Sequence, residues 1–404
     1  MVNVRGANLE HARRLNRRAV LDAVRLRAPS SRAEIARLTG LSPQTIANIT
    51  DELCAAGLLI AKSYRTGGRG QPALGFEINA EGGFTFGISL DHSGLVILLT
   101  DVAGGIRDRE QLPLKSLPPE IVIGMIASAV EAMLARSGVD RRRVWGAGVV
   151  VPARQSDGQV VAYGPCTLPS WKQFPLKSEL GTALGMPVFV ENDAVAAAVA
   201  ERLHGIGKAH ADFVYLYFGA GIGGGLMLGG RPYRGGSAKA GQLGHVVVQT
   251  GGRPCHCGQC GCLERYASLS AAQALLTGLP EGEQPLDIAL INDAFMLGDA
   301  QLLGWMDEAA DKLSTAVRII DYIFDPEGVV LGGIIPRPLL EGLHGRLVQR
   351  LAGGRPVEDR APPTVLVSEI GRDTPALGAS ALPIFDGITP ELSLVFEAGS
   401  VEAI

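Results

Sequence analysis

The sequence predicts an α/β protein in two parts: a small helical head, residues 1–80, that ends in a β-hairpin, and a two-lobed α/β body, residues 81–404. Three observations carry this. The head holds 12 Lys/Arg against 6 Asp/Glu and the body 25 against 35, so a basic module is joined to an acidic one. Three helix signals follow one another before Gly57. A triplet of strand-like runs after residue 84 is repeated after residue 213, each time followed by alternating helix and strand patterns, as two similar lobes require.

The first helix covers Leu9 to Arg27. Its apolar positions Leu15, Ala19, Val20, Leu21 and Val24 recur at helical spacing, and Pro29 ends it. Ser31-Arg32-Ala33-Glu34 is a capping box, in which hydroxyl and carboxylate satisfy each other's backbone amides; Ile35, Ala36 and Leu38 follow it. Thr39-Gly40-Leu41 is a tight turn. Ser42 caps a third helix, with Pro43 at its first position, where no amide donor is lost. Ile46, Ile49 and Leu53 share one face of that helix, Gln44, Thr45 and Asn48 lie opposite, and Gly57 closes it. Two short helices across a Gly turn form a helix-turn-helix, and amide and hydroxyl side chains on the second can read base edges. Leu58 to Ala61 reads as a short strand, Thr66 to Pro72 as a basic hairpin tip, and Ala73 to Ile78 as the returning strand. This makes a wing whose Arg65 and Arg69, flanking glycines, suit phosphates or a minor groove. A helical bundle with a basic surface is the plainer reading, but it gives those arginines no task.

In the body, Phe84 to Leu90, Leu95 to Asp101 and Ile106 to Leu112 form the first strand triplet; Phe213 to Phe218, Gly223 to Leu228 and Arg231 onward form the second. Val144 to Val151 and Val188 to Val190 suit buried central strands. Asp193 to His204 is an Ala-rich helix, Asp307 to Phe324 a longer one, and Gly328 to Leu331 a strand ending in Gly332-Gly333. A cleft between two such lobes places ligands at strand ends and helix starts.

Composition excludes several classes. A chain of 404 residues, 47% hydrophobic and 19% charged, is neither disordered nor fibrous, and its 53 glycines follow no triplet period. The most apolar stretch, Gly83 to Val102, is interrupted by Asp91, His92 and Asp101, so no membrane span is expected. The Arg-rich start is unlike a secretory signal, and a cytoplasmic chain is expected. Four of the six cysteines crowd into Cys255 to Cys262; such crowding rarely suits disulfides, and metal binding is the better reading.

Gly219-Ala-Gly-Ile-Gly-Gly-Gly225, Gly241-Gln-Leu-Gly-His245 and Cys255-His-Cys-Gly-Gln-Cys-Gly-Cys-Leu-Glu264 resemble the signature of the ROK family (repressors, open reading frames, kinases). Glu191-Asn-Asp-Ala194 resembles the family's sugar-site motif, and the basic head resembles its sugar-responsive repressor branch. The resemblance implies a winged helix-turn-helix before an actin-like, hexokinase-like body, with a bound zinc and a sugar in the cleft. Cys255, Cys257 and Cys262 with His245 form a Cys₃His set, the usual composition of a closed structural zinc site, one per chain; Gly258 and Gly261 let the loop fold tightly. The family pattern makes Cys260 the extra cysteine, and its capacity to replace a neighbour stays open; four free thiols is the plain alternative.

Asn192 and Asp193 sit where a strand passes into a helix, a place where they also suit a simple helix cap. The resemblance implies that they bind sugar together with Gln242, His245 and Glu264, Asp193 being the equivalent of the kinase base. His245 would serve zinc with one ring nitrogen and sugar with the other. Two departures follow. Gln242 stands where the family carries Glu, so an amide that donates replaces an acceptor. Ser89-Leu90-Asp91-His92-Ser93 stands where kinases carry an Asp-x-Gly-Gly-Thr type turn: the metal-placing carboxylate is Ser89, and Asp91 and His92 stand where side chains should be absent. This favours a non-enzymatic regulator, a repressor that binds a palindromic double-stranded operator as a homodimer or higher oligomer and takes a sugar as effector. A kinase with an appended head is the alternative, and a body that binds another protein instead of sugar is a third class.

Overall fold

The computed structural model describes residues 9–64, 73–91, 94–114, 117–151, 154–156, 159–161, 171, 174–353 and 361–387. In the head, α1 (Leu9–Leu26), α2 (Arg32–Thr39) and α3 (Pro43–Ala55) pack around Val20, Val24, Ile35, Ile46, Leu53 and Phe76. The capping box forms: Ser31 Oγ accepts the Glu34 N–H, and Glu34 Oε2 accepts the Ser31 N–H at 2.7 Å. Gly40 turns the chain at φ 71°, and Ser42 Oγ accepts the Thr45 N–H to start α3. β1 (Leu59–Tyr64) pairs antiparallel with β2 (Ala73–Ile78), Leu59 opposite Ile78 and Tyr64 opposite Ala73. β1 thus runs past the expected end at Ala61, because the ladder continues as far as its partner does. The expected tip, with Arg65 and Arg69, lies outside the described residues.

The body is two sheets of one plan. In the first, β3 (Phe84–Asp91), β4 (Gly94–Asp101) and β5 (Ile106–Leu112) form an antiparallel meander. After α4 (Pro119–Ser137) comes β6 (Val144–Val151), parallel to β3. A small hairpin, β7 (Arg154–Ser156) with β8 (Gln159–Val161), and α5 (Leu176–Leu184) lead to β9 (Val188–Asn192), parallel to β6. The order is β5-β4-β3-β6-β9. Helix α6 (Asp193–His204) crosses to the second lobe. There β10 (Phe213–Phe218), β11 (Ile222–Leu228) and β12 (Arg231–Pro232) repeat the meander. Helices α7 (Glu264–Ala267), α8 (Leu269–Thr277), α9 (Ile288–Met296) and α10 (Ala300–Phe324) precede β13 (Gly328–Gly333), α11 (Arg337–Ala352) and β14 (Val365–Val367), giving the order β12-β11-β10-β13-β14. The duplicated triplet is therefore a duplicated sheet. α10 begins earlier than its apolar run suggests, because Asp299 caps it by accepting the Gln301 and Leu302 amides at 2.9 and 3.0 Å.

The last helix, α12 (Thr374–Gly387), is wedged between the first sheet and α6. A Cβ at Gly87 would lie 1.9 Å from Ala376 O, at Gly148 1.8 Å from Ala379 O, and at Gly378 1.9 Å from Ala196 O. Glycine at each contact lets helix and sheet backbones touch. The head docks on this arrangement: Val102 and Ile384 complete its core, Arg25 Nη2 donates to Val102 O at 3.1 Å, and the Arg18 guanidinium lies 4.8 Å over the Phe385 ring. Among the described residues no helix is long and apolar enough to cross a membrane.

Candidate functional site

Strand β9 delivers Asn192 and Asp193 to the start of α6. Asn192 Oδ1 accepts the Ala194 and Val195 amides at 2.9 and 3.4 Å, so it caps the helix and leaves its amide nitrogen for other work. Asp193 Oδ1 accepts the Ala194 amide at 2.8 Å, at the positive end of the helix. Glu191, just before them, takes its own contact across the lobes: Arg234 Nε donates to Glu191 Oε2 at 2.6 Å.

Strand β11 joins these residues to the second lobe. A Cβ at Gly223 would lie 2.8 Å from Ala194 Cβ and 3.9 Å from Asp193 Oδ1, while one at Gly221 would lie 2.3 Å from Glu264 Oε2. Asp193 and Glu264 therefore lie against the same three-residue stretch of chain, Gly221 to Gly223. Glu264, only 7% exposed, accepts the Ile222 N–H at 3.1 Å. A Cβ at Gly224 would meet Gly241 O at 2.7 Å, and one at Gly244 would meet Ile222 O at 2.3 Å, so the segment carrying Gln242 and His245 packs on the same strand. All five expected sugar residues are thus gathered around the start of β11. The glycine run owes its composition to this packing, since a Cβ at Gly225 would fall 2.3 Å from Ala194 O.

Beside this group of residues the loop after His245 folds back on itself. Cys255 N–H donates to Gln259 O at 2.8 Å, and isolated bridges join Val247 to Cys262 and Pro254 to Cys260. The ligand atoms of His245, Cys255, Cys257 and Cys262 all lie within 4.8 Å of one another. Cys255 Sγ is 3.6 Å from His245 Nδ1, and Cys257 Sγ is 3.6 Å from Cys262 Sγ. Zinc–sulfur bonds of about 2.3 Å in a tetrahedron give edges of about 3.7 Å, so the donor set fits the ion. Cys260 is exposed and stands outside the set. With Nδ1 in the cluster, His245 keeps Nε2 for a second partner.

The cavity beside β3 is different. Ser89, on β3 and 8% exposed, lines a cavity of about 580 Å³ together with Arg109, Asp287, Arg372 and Asp373. Arg109 is held by Asp373 through two hydrogen bonds, at 2.9 and 3.1 Å. His92 and Ser93 lie outside the described residues.

On the head, Gln44 and Asn48 are exposed on α3, and Gln44 Nε2 donates to Asn48 Oδ1 at 3.0 Å. Thr45 is half-buried, its hydroxyl 2.8 Å from that of Ser42. Two further cations stand outside every motif of the sequence: Arg37, exposed in the last turn of α2, and Arg234. The position of Arg37 beside the turn was a usable signal; nothing local ties Arg234 to Glu191.

The ROK family model matches residues 85–384. The xylose repressor of Bacillus spizizenii is 28% identical over 385 residues, covering 94% of this chain and 97% of the repressor. The glucokinase of Streptomyces coelicolor is 29% identical over 323 residues, covering 74% of this chain and 97% of the kinase. Among solved structures, a ROK family transcriptional regulator, a homologue of the E. coli Mlc protein, superposes with a TM-score of 0.72 at 25% identity, covering 96% of this chain and all of the regulator.

Proposed function

Because the chain belongs to the ROK family, we propose that it is a sugar-responsive DNA-binding transcriptional regulator, a repressor whose kinase-like body binds its effector. One observation carries the reading: likeness to a xylose repressor runs through head and body alike, over 94% of the chain, whereas likeness to a glucokinase covers 74%. In this reading residues 1–80 are the DNA-binding domain and residues 81–404 the sugar-binding body. Gln44, Thr45 and Asn48 meet base edges, and Arg65 and Arg69 meet the backbone or minor groove. Asn192, Asp193, Gln242, His245 and Glu264 form the sugar pocket, and D-xylose is the first candidate. The protein acts in the cytoplasm as a homodimer or higher oligomer on a palindromic operator.

Zinc, held by His245, Cys255, Cys257 and Cys262, contributes structure and no bond-making step. These ligands draw the loop closed, and the loop fixes both His245 and the start of α7, where Glu264 stands. Asn192 orders the first turn of α6 and so fixes the Asp193 carboxylate at the helix start, where a sugar hydroxyl can donate to it.

A sugar kinase with an appended head is the second reading, favoured by the glucokinase relatives and by Asp193, which could take a proton from a sugar hydroxyl as general base. The Ser89 turn weighs against it. The test of the leading reading pairs duplex selection from a random library with calorimetry on D-xylose, D-glucose and N-acetylglucosamine. A palindromic site whose affinity shifts when one of these sugars binds is the expected result. A chain that selects no duplex, or whose operator affinity ignores every sugar it binds, sinks the reading.

A further inference from the structure

Helix α6 begins in the proposed sugar pocket and ends beneath the head. Its 12 residues span about 18 Å. Along that length α12 is locked to it: Gly378 lets Ala196 O approach, and Val199 and Leu203 pack with Ala381 and Phe385. Two backbones in such close contact shift together and do not deform independently.

At the far end, α6 and α1 both touch the same turn. The turn after β4, residues 101–105, is stiff: Asp101 Oδ1 accepts the Ala103 and Gly105 amides at 2.9 and 3.0 Å, and Arg107 Nε donates to Asp101 Oδ2 at 2.8 Å. From α6 the His204 ring lies against Gly104, where a Cβ would stand 2.1 Å from Cε1. From α1 the Arg25 guanidinium donates to Val102 O at 3.1 Å. The junction is only partly satisfied. Arg25 Nε is enclosed without a hydrogen-bond partner. Asp22 of α1 acts on Arg25 at a distance, and burial, reinforced by the charge of Arg25 and then Lys208, pushes the His204 pKa down to about 3. An enclosed donor without a partner carries a desolvation cost, so the docked arrangement has less holding it than a packed core would. A junction of that kind is where a second arrangement lies within reach of a ligand's binding energy.

We infer that His204, the 101–105 turn and Arg25 form the coupling relay of this molecule: a sugar at the start of α6 shifts the α6–α12 pair, His204 moves the turn, and Arg25 passes the movement to α1 and the helix-turn-helix. This rests on the function proposed above, and it assigns that function's regulation to residues that touch neither sugar nor DNA.

The test uses the full chain, the duplex selected from the random library, and whichever of D-xylose, D-glucose and N-acetylglucosamine binds. Arg25→Met and His204→Ala are each compared with the parent in sugar affinity, sugar-free operator affinity and operator affinity at saturating sugar. Both variants should hold the first two within about threefold of the parent, while a sugar response in the usual range of about 5–150-fold falls below about twofold. Hydrogen exchange over residues 18–26 should respond to sugar in the parent and not in the variants, a readout that stands even if one variant folds poorly. A full response in both variants, with α1 exchange still sugar-sensitive, overturns the relay and leaves the regulator reading intact. A parent whose operator affinity ignores sugar brings down the regulator reading, and the relay with it.

Discussion

A methyl group at Gly225 would lie 2.3 Å from Ala194 O and 2.6 Å from Ala198 Cβ, whereas one at Gly236 would meet nothing within 4 Å. Gly225→Ala should therefore push β11 off α6 and cost about 1–3 kcal/mol, with sugar affinity falling alongside, while Gly236→Ala stays within about 0.5 kcal/mol. Urea midpoints decide between them; equal midpoints would mean that β11 and α6 are not packed as described. Cys257→Ser tests the metal set. The parent should hold one zinc per chain by elemental analysis and the variant close to none, while the fold persists, because the loop is local and adds only its flanks, Leu243 and Leu263 with Val246 and Val248, to a large core. His204 supplies a pH signature. Its pKa falls from 6.5 to about 3 on folding, so between those values the folded state binds fewer protons than the unfolded chain. Its contribution is complete above the free value and is lost as pH falls. At about pH 5 the loss is about 1–2 kcal/mol, allowing for the exposed part of the ring. His204→Gln should remove that increment, seen as a smaller drop in urea midpoint between neutral and acidic buffer than the parent shows; an unchanged drop would mean the ring is not enclosed.

At the scale of elements, α3 carries the next prediction. Gln44 and Asn48, four residues apart and hydrogen-bonded to each other at 3.0 Å, form one amide surface on the exposed face. Asn48→Ala should lose about 1–3 kcal/mol of discrimination between the selected duplex and random DNA, with non-specific affinity barely touched. Arg37→Ala should instead weaken both equally and reduce the salt slope by about one. Competition binding across a salt series reads both; if Asn48→Ala weakens the two duplexes alike, α3 is not the reading helix. This head was legible in the sequence because its signals are local: Ser31 and Glu34 meet within one turn, and Ser42 and Pro43 mark the next helix within two residues. The cysteine cluster was legible for the same reason, its four ligands falling between His245 and Cys262. What escaped depends on contacts between distant segments. The wedging of α12 requires Gly87, Gly148 and Gly378 to meet carbonyls of other elements, and a lone glycine in a run announces no partner. Arg234 reaches Glu191 from across the lobes, and Arg25 meets a carbonyl 77 positions away. The early start of α10 escaped because Asp299 lies outside the apolar period that marked the helix.

At the scale of the whole molecule, two lobes of one plan meet at a cleft whose two ends carry different side chains. The end at β11 keeps the polar set expected of a sugar pocket. The end at β3 offers a triphosphate little. Ser89 is neutral and cannot hold magnesium as a carboxylate does. Arg109 is already committed to Asp373, and of the charged side chains that line the cavity with it, Asp287 and Asp373 oppose Arg372. Phosphoryl transfer draws most of its rate from a metal-bridged, charge-neutralised triphosphate held in line with the attacking hydroxyl. Among the described residues, a cavity that balances its arginines with aspartates is a poor match for that neutralisation. Asp193 can still accept a hydrogen bond from a sugar hydroxyl, but taking that proton is useful only where a phosphorus is held in line for the hydroxyl oxygen to attack. Incubated with magnesium-ATP and D-xylose, D-glucose or N-acetylglucosamine, the protein should release ADP at the background rate, although calorimetry detects binding of one of these sugars. Ser89→Asp alone should not restore turnover, because Asp91 and His92 still stand in the sequence where a kinase carries glycines. ADP release that depends on sugar and disappears in Asp193→Asn would overturn this, and would make the head an attachment to a working kinase.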